Sequence, residues 1–275
     1  VKLLIMTDME GVAGVLNADD YLDASGRLYE VGRELATREC NAAIEGAIAA
    51  GATDILVVDG HGAGAIDARL LHPAARLLAG QPKPRAFGCD PSFDAAFIVG
   101  QHAMSNADGG HLSHTNSWQV EEWRCNGRPI GELGKELLLF GACEVPTVLV
   151  TGDEACAAEA RALVPEIEAV AVKAGVRRGS AAGLSAAENR RFNLVAIHRH
   201  PEQAAALIRA GAERALRRRP AVPPFSMEPP YELVSVVRPA DGQPGRVSRS
   251  TGDDLIALLG WPPGQAAAAA AGVRG

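Results

Sequence analysis

The apolar positions of this chain fall in short unbroken runs, separated by Ala-rich stretches with helical spacing. Residues 3–6 read as a first strand. Residues 29–50 read as a long helix closed by Gly51, because glycine adopts the left-handed conformation that ends a helix. Further strands are expected over 54–58, 95–99 and 145–150 and near 170–173, with helices over 133–140 and 153–163. A half-buried strand alternates apolar with polar residues, whereas these runs are continuous. Continuous runs joined by helices imply an α/β fold, a doubly wound, mostly parallel sheet covered on both faces.

One segment departs from this rhythm. Residues 117–125, then Asn126-Gly127, then 128–130 predict a β-hairpin, since Asn-Gly suits the positive φ angles of a type I′ turn. After a helical stretch over 201–219 comes a joint rich in proline (Pro220, Pro223, Pro224, Pro229, Pro230). We therefore expect a catalytic α/β domain over residues 1–200 and a smaller C-terminal α+β segment over 201–275. In the latter, a strand at 231–237 and a short helix at 253–259 are too little for an independent core. The alanine run at 266–271 predicts a frayed helix or disorder.

Composition narrows the class. A hydrophobic content of 47% and a mean hydropathy of +0.02 are those of a globular protein with a sizeable core. A net charge of −6 argues against nucleic acid as a partner. The Arg217-Arg218-Arg219 run closes a predicted helix, where cations complement the dipole. No apolar stretch reaches the roughly 18 residues of a membrane span. No secretory signal is expected before the first strand. None of the five cysteines lie two or three residues apart, so reduced, buried thiols and a cytoplasmic location are expected.

Asp8 and Glu10 stand where the first strand ends. Residues two apart in an extended segment point to the same side, so both carboxylates leave the carboxyl end of the sheet together, where ligands of open α/β sheets bind. Two like charges this close require a cation, or one must hold a proton. A divalent metal answers that need. His61 follows the second strand and His102 the third, bringing imidazoles to the same edge. Mixed nitrogen and oxygen donors suit zinc or another first-row divalent ion. Glu132 is a fifth candidate. A carboxylate in a helix's first turn is favoured by the dipole alone, but Gly131 and Gly134 permit close approach to something else. His111 and His114 occupy a loop that joins the His102 strand to the Glu132 segment. His72, His198 and His200 flank helical stretches and read as structural. Gly11 and Gly14 do not make a dinucleotide loop, because Asp8 and Glu10 would repel a pyrophosphate.

Asp8-Met9-Glu10-Gly11, Asp59-Gly60-His61, Gly100-Gln101-His102-Ala103, Ser113-His114 and Arg128-Pro129-Ile130-Gly131-Glu132-Leu133-Gly134 resemble, in order and spacing, the zinc-dependent D-aminopeptidases of the bacterial dipeptide-operon type (DppA-like). The resemblance spans residues 1 to about 200, and five ordered motifs make it specific. It implies two Zn²⁺ per chain, bridged by Asp8, with Glu10 and His61 completing one site and His102 and Glu132 the other. It further implies a catalytic role for His114, short peptides or amino-acid amides as substrates, and a homo-oligomer, a ring-like decamer enclosing the active sites. On that ligand set, three carboxylates against two dications leave a positive centre that favours a metal-activated hydroxide. His114 is then expected a few ångströms beyond direct coordination, since catalytic zinc keeps a position open. Two other readings stay open at this point. One is a di-metal amidohydrolase or phosphoesterase on another small substrate; the other is a metal-stabilised binding protein without turnover.

Overall fold

The structure, a computed structural model, describes residues 1–240 and 244–260; the alanine run at 266–271 lies outside the described residues. In chain order the elements are β1 (Lys2–Thr7), α1 (Ala18–Tyr21), α2 (Tyr29–Ala49), β2 (Asp54–Asp59), β3 (Ala75–Leu78), β4 (Ala95–Gln101), β5 (Val120–Cys125), β6 (Arg128–Ile130), α3 (Glu132–Gly141), β7 (Thr147–Asp153), α4 (Glu154–Leu163), β8 (Glu168–Gly175), α5 (Ala186–Phe192), β9 (Ala196–His198), α6 (Pro201–Arg218), β10 (Tyr231–Val237), β11 (Arg246–Gly252) and α7 (Leu255–Leu259).

Seven strands form one sheet in the order β3-β2-β1-β4-β7-β8-β9, parallel except for β9, which runs antiparallel to β8. The order reverses between β1 and β4. Right-handed crossovers from β1 to β2 and from β4 to β7 run in opposite directions from that point, and so put α2 on one face and α3 on the other. The doubly wound α/β fold predicted from the continuous apolar runs is the one observed. Its central strands are buried along their length, as the runs require: Leu3, Leu4, Ile5, Phe97, Ile98, Leu149 and Val150 are all fully enclosed. Helix α2 buries a stripe of small residues, Ala36, Cys40, Ala43 and Ala47, at the three- and four-residue spacing of one helical face. Small residues let α6 pack closely against it. A Cβ added at Gly46 would lie 2.2 Å from the Arg209 carbonyl oxygen of α6.

The hairpin is also present. Asn126 (φ 48°) and Gly127 (φ 77°) both take positive φ, as a type I′ turn demands. A second, antiparallel sheet is built on it in the order β11-β10-β5-β6. Its strands come from both sides of the proline-rich joint: β10 pairs with β5, with Leu233 opposite Cys125 and Ser235 opposite Trp123.

Three strands are absent from the hydrophobic pattern. β3 and β9 are edges of four and three residues, and β11 (Arg-Val-Ser-Arg-Ser-Thr-Gly) is an exposed edge with no apolar run to betray it. The crossovers from β2 to β3 and from β3 to β4 contain no α-helix. All five cysteines are free and buried. Among the described residues no helix is long and apolar enough to cross a membrane.

Candidate metal centre

The centre forms where the strand order reverses. β1 and β2 are in register to their ends, Thr7 opposite Asp59, and β1 and β4 likewise, Thr7 opposite Val99. Pairing continues one step further, with Asp8 N–H donating to the Val99 carbonyl (2.9 Å) and Gly60 N–H to Thr7 (3.0 Å). Asp8, His61 and His102 are thereby delivered to one edge. Glycine is required at position 100, where φ is +77° and a Cβ would stand 2.4 Å from the Asp8 carbonyl oxygen. Glu132 enters from the first turn of α3 and His114 from the loop before β5.

The structure brings all six sequence-predicted residues together. Asp8, Glu10, His102 and His114 are buried, and His61 and Glu132 are partly so. His61 Nδ1 lies 3.1 Å from Asp8 Oδ1 and 3.2 Å from Glu10 Oε2. His102 Nε2 lies 3.5 Å from Asp8 Oδ2 and 3.3 Å from Glu132 Oε1. The two oxygens of Asp8 thus face different imidazoles. His114 stacks on His102 with centroids 4.1 Å apart, and its Nε2 is 3.6 Å from Glu132 Oε1 and 3.9 Å from Glu10 Oε1. Tetrahedral zinc with bonds of about 2.0–2.1 Å separates its donor atoms by about 3.3 Å. Two groups, Asp8–Glu10–His61 and Asp8–His102–Glu132, have compatible spacings. Glu10, His102 and His114 form a third that overlaps both.

Hydrogen bonding fixes which imidazole nitrogens can act as donors to a metal. His61 Nε2–H donates to the Leu22 carbonyl (2.8 Å), His102 Nδ1–H to Ala103 (2.9 Å) and His114 Nδ1–H to Leu112 (2.9 Å). A carbonyl only accepts, so each of these nitrogens carries a proton, and the opposite nitrogen of each ring is the one left to bind a metal when the ring is neutral. All three of these inner nitrogens face carboxylate oxygens. His102 Nε2 and Glu10 Oε2 are buried without a hydrogen-bond partner. Nitrogens and carboxylate oxygens this close must share protons or take cations between them. Outer nitrogens tied to main-chain carbonyls are also the usual support of metal-bound histidines.

The electrostatics express the same demand. Burial opposes charge on His61, but the carboxylates of Glu10 and Asp8 outweigh it and hold its pKa well above the ordinary value. His102 follows the same pattern, with Glu132 the leading carboxylate. Burial and the neighbouring Glu10 charge raise Asp8 to about 7. Burial also acts on Glu132, yet the His102 imidazole 3.3 Å away prevails and draws it down to about 2. Burial and the adjacent His102 lower His114, so its imidazole is neutral.

Supporting residues went unread in the sequence. Glu136, one helical turn beyond Glu132, lines the same cavity, and burial with the Asp8 and Glu132 charges pushes it up to about 8. Its i+4 spacing from Glu132 on one helix face was the available signal. Gln101 links it to His102, with Nε2 donating to Glu136 (3.2 Å) and Oε1 accepting from the His102 N–H (2.9 Å). Asp59 accepts the Ala65 N–H (2.8 Å) and so holds the loop that carries His61. Trp118 stacks on His114 with centroids 4.4 Å apart. His111 is buried away from the cluster, edge-on to His198 at 5.3 Å. His198 accepts the Gly14 N–H, His72 accepts the Ala74 N–H, and His200 caps α6. These three are structural, as their places beside helices suggested.

Comparison with known proteins agrees with this geometry. The family model described as D-aminopeptidase matches residues 1–241. A D-aminopeptidase of Bacillus subtilis (strain 168) is 37% identical over 191 residues, 68% of this chain and 69% of the relative. A solved structure described as the Zn-dependent D-aminopeptidase DppA from Bacillus subtilis, a self-compartmentalizing protease, superposes with a TM-score of 0.80 and 28% identity over 93% of each chain. The chain belongs to the D-aminopeptidase family.

Proposed function

We propose that this protein is a zinc-dependent D-aminopeptidase that holds two Zn²⁺ per chain. Asp8, Glu10 and His61 would hold one, and Asp8, His102 and Glu132 would hold the other. The observation that carries this reading is the convergence of three buried or half-buried carboxylates on the inward nitrogens of two imidazoles whose outer nitrogens are committed to main-chain carbonyls. When bound, zinc polarises an amide carbonyl and activates water for attack on it.

The protein's own residues supply the rest. His114, with Nδ1–H committed to Leu112, offers Nε2 as a proton acceptor beside the cluster. A proton taken there can be passed to the nitrogen of the leaving amine. The stacked rings of His102 and Trp118 fix the plane in which that transfer occurs. The cavity, about 300 Å³, suits a short peptide or an amino-acid amide. Asp23 and Glu136, which lie outside the ligand set, are the lining carboxyl groups available to a substrate's free amine. The preference for D-residues rests on family membership.

The relative's description as self-compartmentalizing supports a homo-oligomer here, which we take to be a ring-like decamer. A monomeric mass in solution rules that out. The central test is turnover of paired D- and L-aminoacyl peptides by zinc-loaded and zinc-free protein. D-specific release of the N-terminal residue, dependent on zinc, is expected. Full activity in rigorously metal-free protein defeats the proposal.

A further inference from the structure

The cavity over the cluster is charged in a polar order. Asp8, Glu10, Asp23, Glu132 and Glu136 line it, and Arg190 is the sole lysine or arginine among its described lining residues. The guanidinium lies at the outer end of a stacked wall. His102 stacks on His114 at 4.1 Å, His114 on Trp118 at 4.4 Å, and Arg190 stands 5.8 Å over the Trp118 ring. We propose that Arg190 binds the free C-terminal carboxylate of a short peptide substrate and so selects peptide acids over blocked or long peptides. This inference rests on the aminopeptidase reading above.

Geometry supplies the length. The three separations put the guanidinium no more than about 14 Å from the His102 ring, the reach of about four extended residues at most. A peptide whose first carbonyl sits at the cluster therefore brings its carboxylate to Arg190 only if it is short. The reaction supplies the direction. An aminopeptidase cleaves the first peptide bond, so the amine end goes to the cluster and the carboxylate extends outward, where Arg190 is the one lysine or arginine among the described lining residues.

Arg190 is also available for exchange. It is held by Asp19, whose side chain is 83% exposed. Both bonds, from Nε (3.0 Å) and Nη2 (2.7 Å), end on the single oxygen Oδ1. The two-oxygen fork that makes arginine–carboxylate pairs strong is thus not formed with Asp19. An exposed pair of this kind contributes little, and a substrate carboxylate in the drier cavity, offering both oxygens, displaces it.

The experiment compares matched D-alanyl di- and tripeptides as free acids and as C-terminal carboxamides on the zinc-loaded enzyme. Wild-type protein should favour the acid in kcat/KM, with the difference carried by KM. Arg190→Gln should lower kcat/KM on the acid by about 10- to 100-fold and bring the acid-to-amide ratio toward one. Asp19→Asn, which releases the guanidinium, should raise the ratio. A wild type that turns over acid and amide equally, or a ratio unmoved in both variants, overturns the inference while leaving the aminopeptidase reading intact. Turnover of neither form strikes down that reading and this inference with it.

Discussion

Glu10 lies between two buried polar clusters. Its carboxylate faces His61 and His114, while its main-chain carbonyl accepts a bond from the Lys173 ammonium on β8. Lys173 also donates to the carbonyls of Val12 (3.1 Å) and Val15 (3.4 Å), and nearby Glu39 accepts the Ala13 N–H (2.8 Å). In this second cluster donors meet acceptors, and the loop after β1 is pinned by one cation and one carboxyl group. In the first, carboxylates and imidazoles crowd one another, and Glu10 Oε2 and His102 Nε2 lack a hydrogen-bond partner. Both are comparably buried, so burial alone does not mark a functional site. What separates them is whether the groups satisfy one another, because an unsatisfied buried array persists only when an outside partner completes it.

The sharpest way to break this contrast is to remove a donor from the first cluster. His102→Ala deletes the imidazole that faces Asp8 and Glu132. Zinc content should fall from two per chain toward one, and turnover by more than about 10³. Retention of both ions and of normal turnover would falsify the ligand assignment.

A smaller effect is expected from His114→Ala. Its Nε2 is near enough to join Glu10 and His102 in a third donor group, so geometry alone allows either ligation or proton transfer. Proton transfer predicts that the variant keeps two zinc ions and loses about 10²–10³ in kcat. Loss of an ion instead makes His114 a ligand, and normal turnover removes it from the chemistry.

The first cluster was largely legible in the sequence, and the second was not. Asp8, His61 and His102 announce themselves because each directly follows an unbroken apolar run, and a parallel sheet carries all such ends to one edge. Glu132 does not follow a run; its flanking glycines and the family resemblance marked it. The Leu22, Ala103 and Leu112 carbonyls that set the imidazole tautomers are main-chain atoms, which no residue type reveals. Lys173 reads as an ordinary residue at a strand end, since its partners are carbonyls of a loop about 160 positions away. Helices α2 and α6 were both legible as helices, but nothing in two Ala-rich faces says that they choose each other.

The finest test of the contrast is Glu39→Gln, in the second cluster. Glu39 Oε1 holds the Ala13 N–H, whereas Oε2 is buried with no hydrogen-bond partner. Burial raises its pKa from 4.5 to about 7, with the Ala13 bond and the Lys173 charge pulling the other way. The sign follows from proton counting. Between pH 4.5 and 7 the folded state binds more protons at this site than the unfolded state, so the site's contribution is complete below 4.5 and is lost as pH rises through 7. Glutamine keeps an acceptor for Ala13 and cannot ionise. At pH 5 the variant should therefore match wild type within about 1 kcal/mol, and at pH 8 exceed it by roughly 1–3 kcal/mol. Denaturant midpoints of the two zinc-loaded proteins at both pH values measure the difference. Should the variant instead lose more stability at pH 8 than at pH 5, Glu39 is an ionised partner of Lys173. The second cluster would then also be held by charge, and hydrogen-bond satisfaction would not be what divides it from the metal centre.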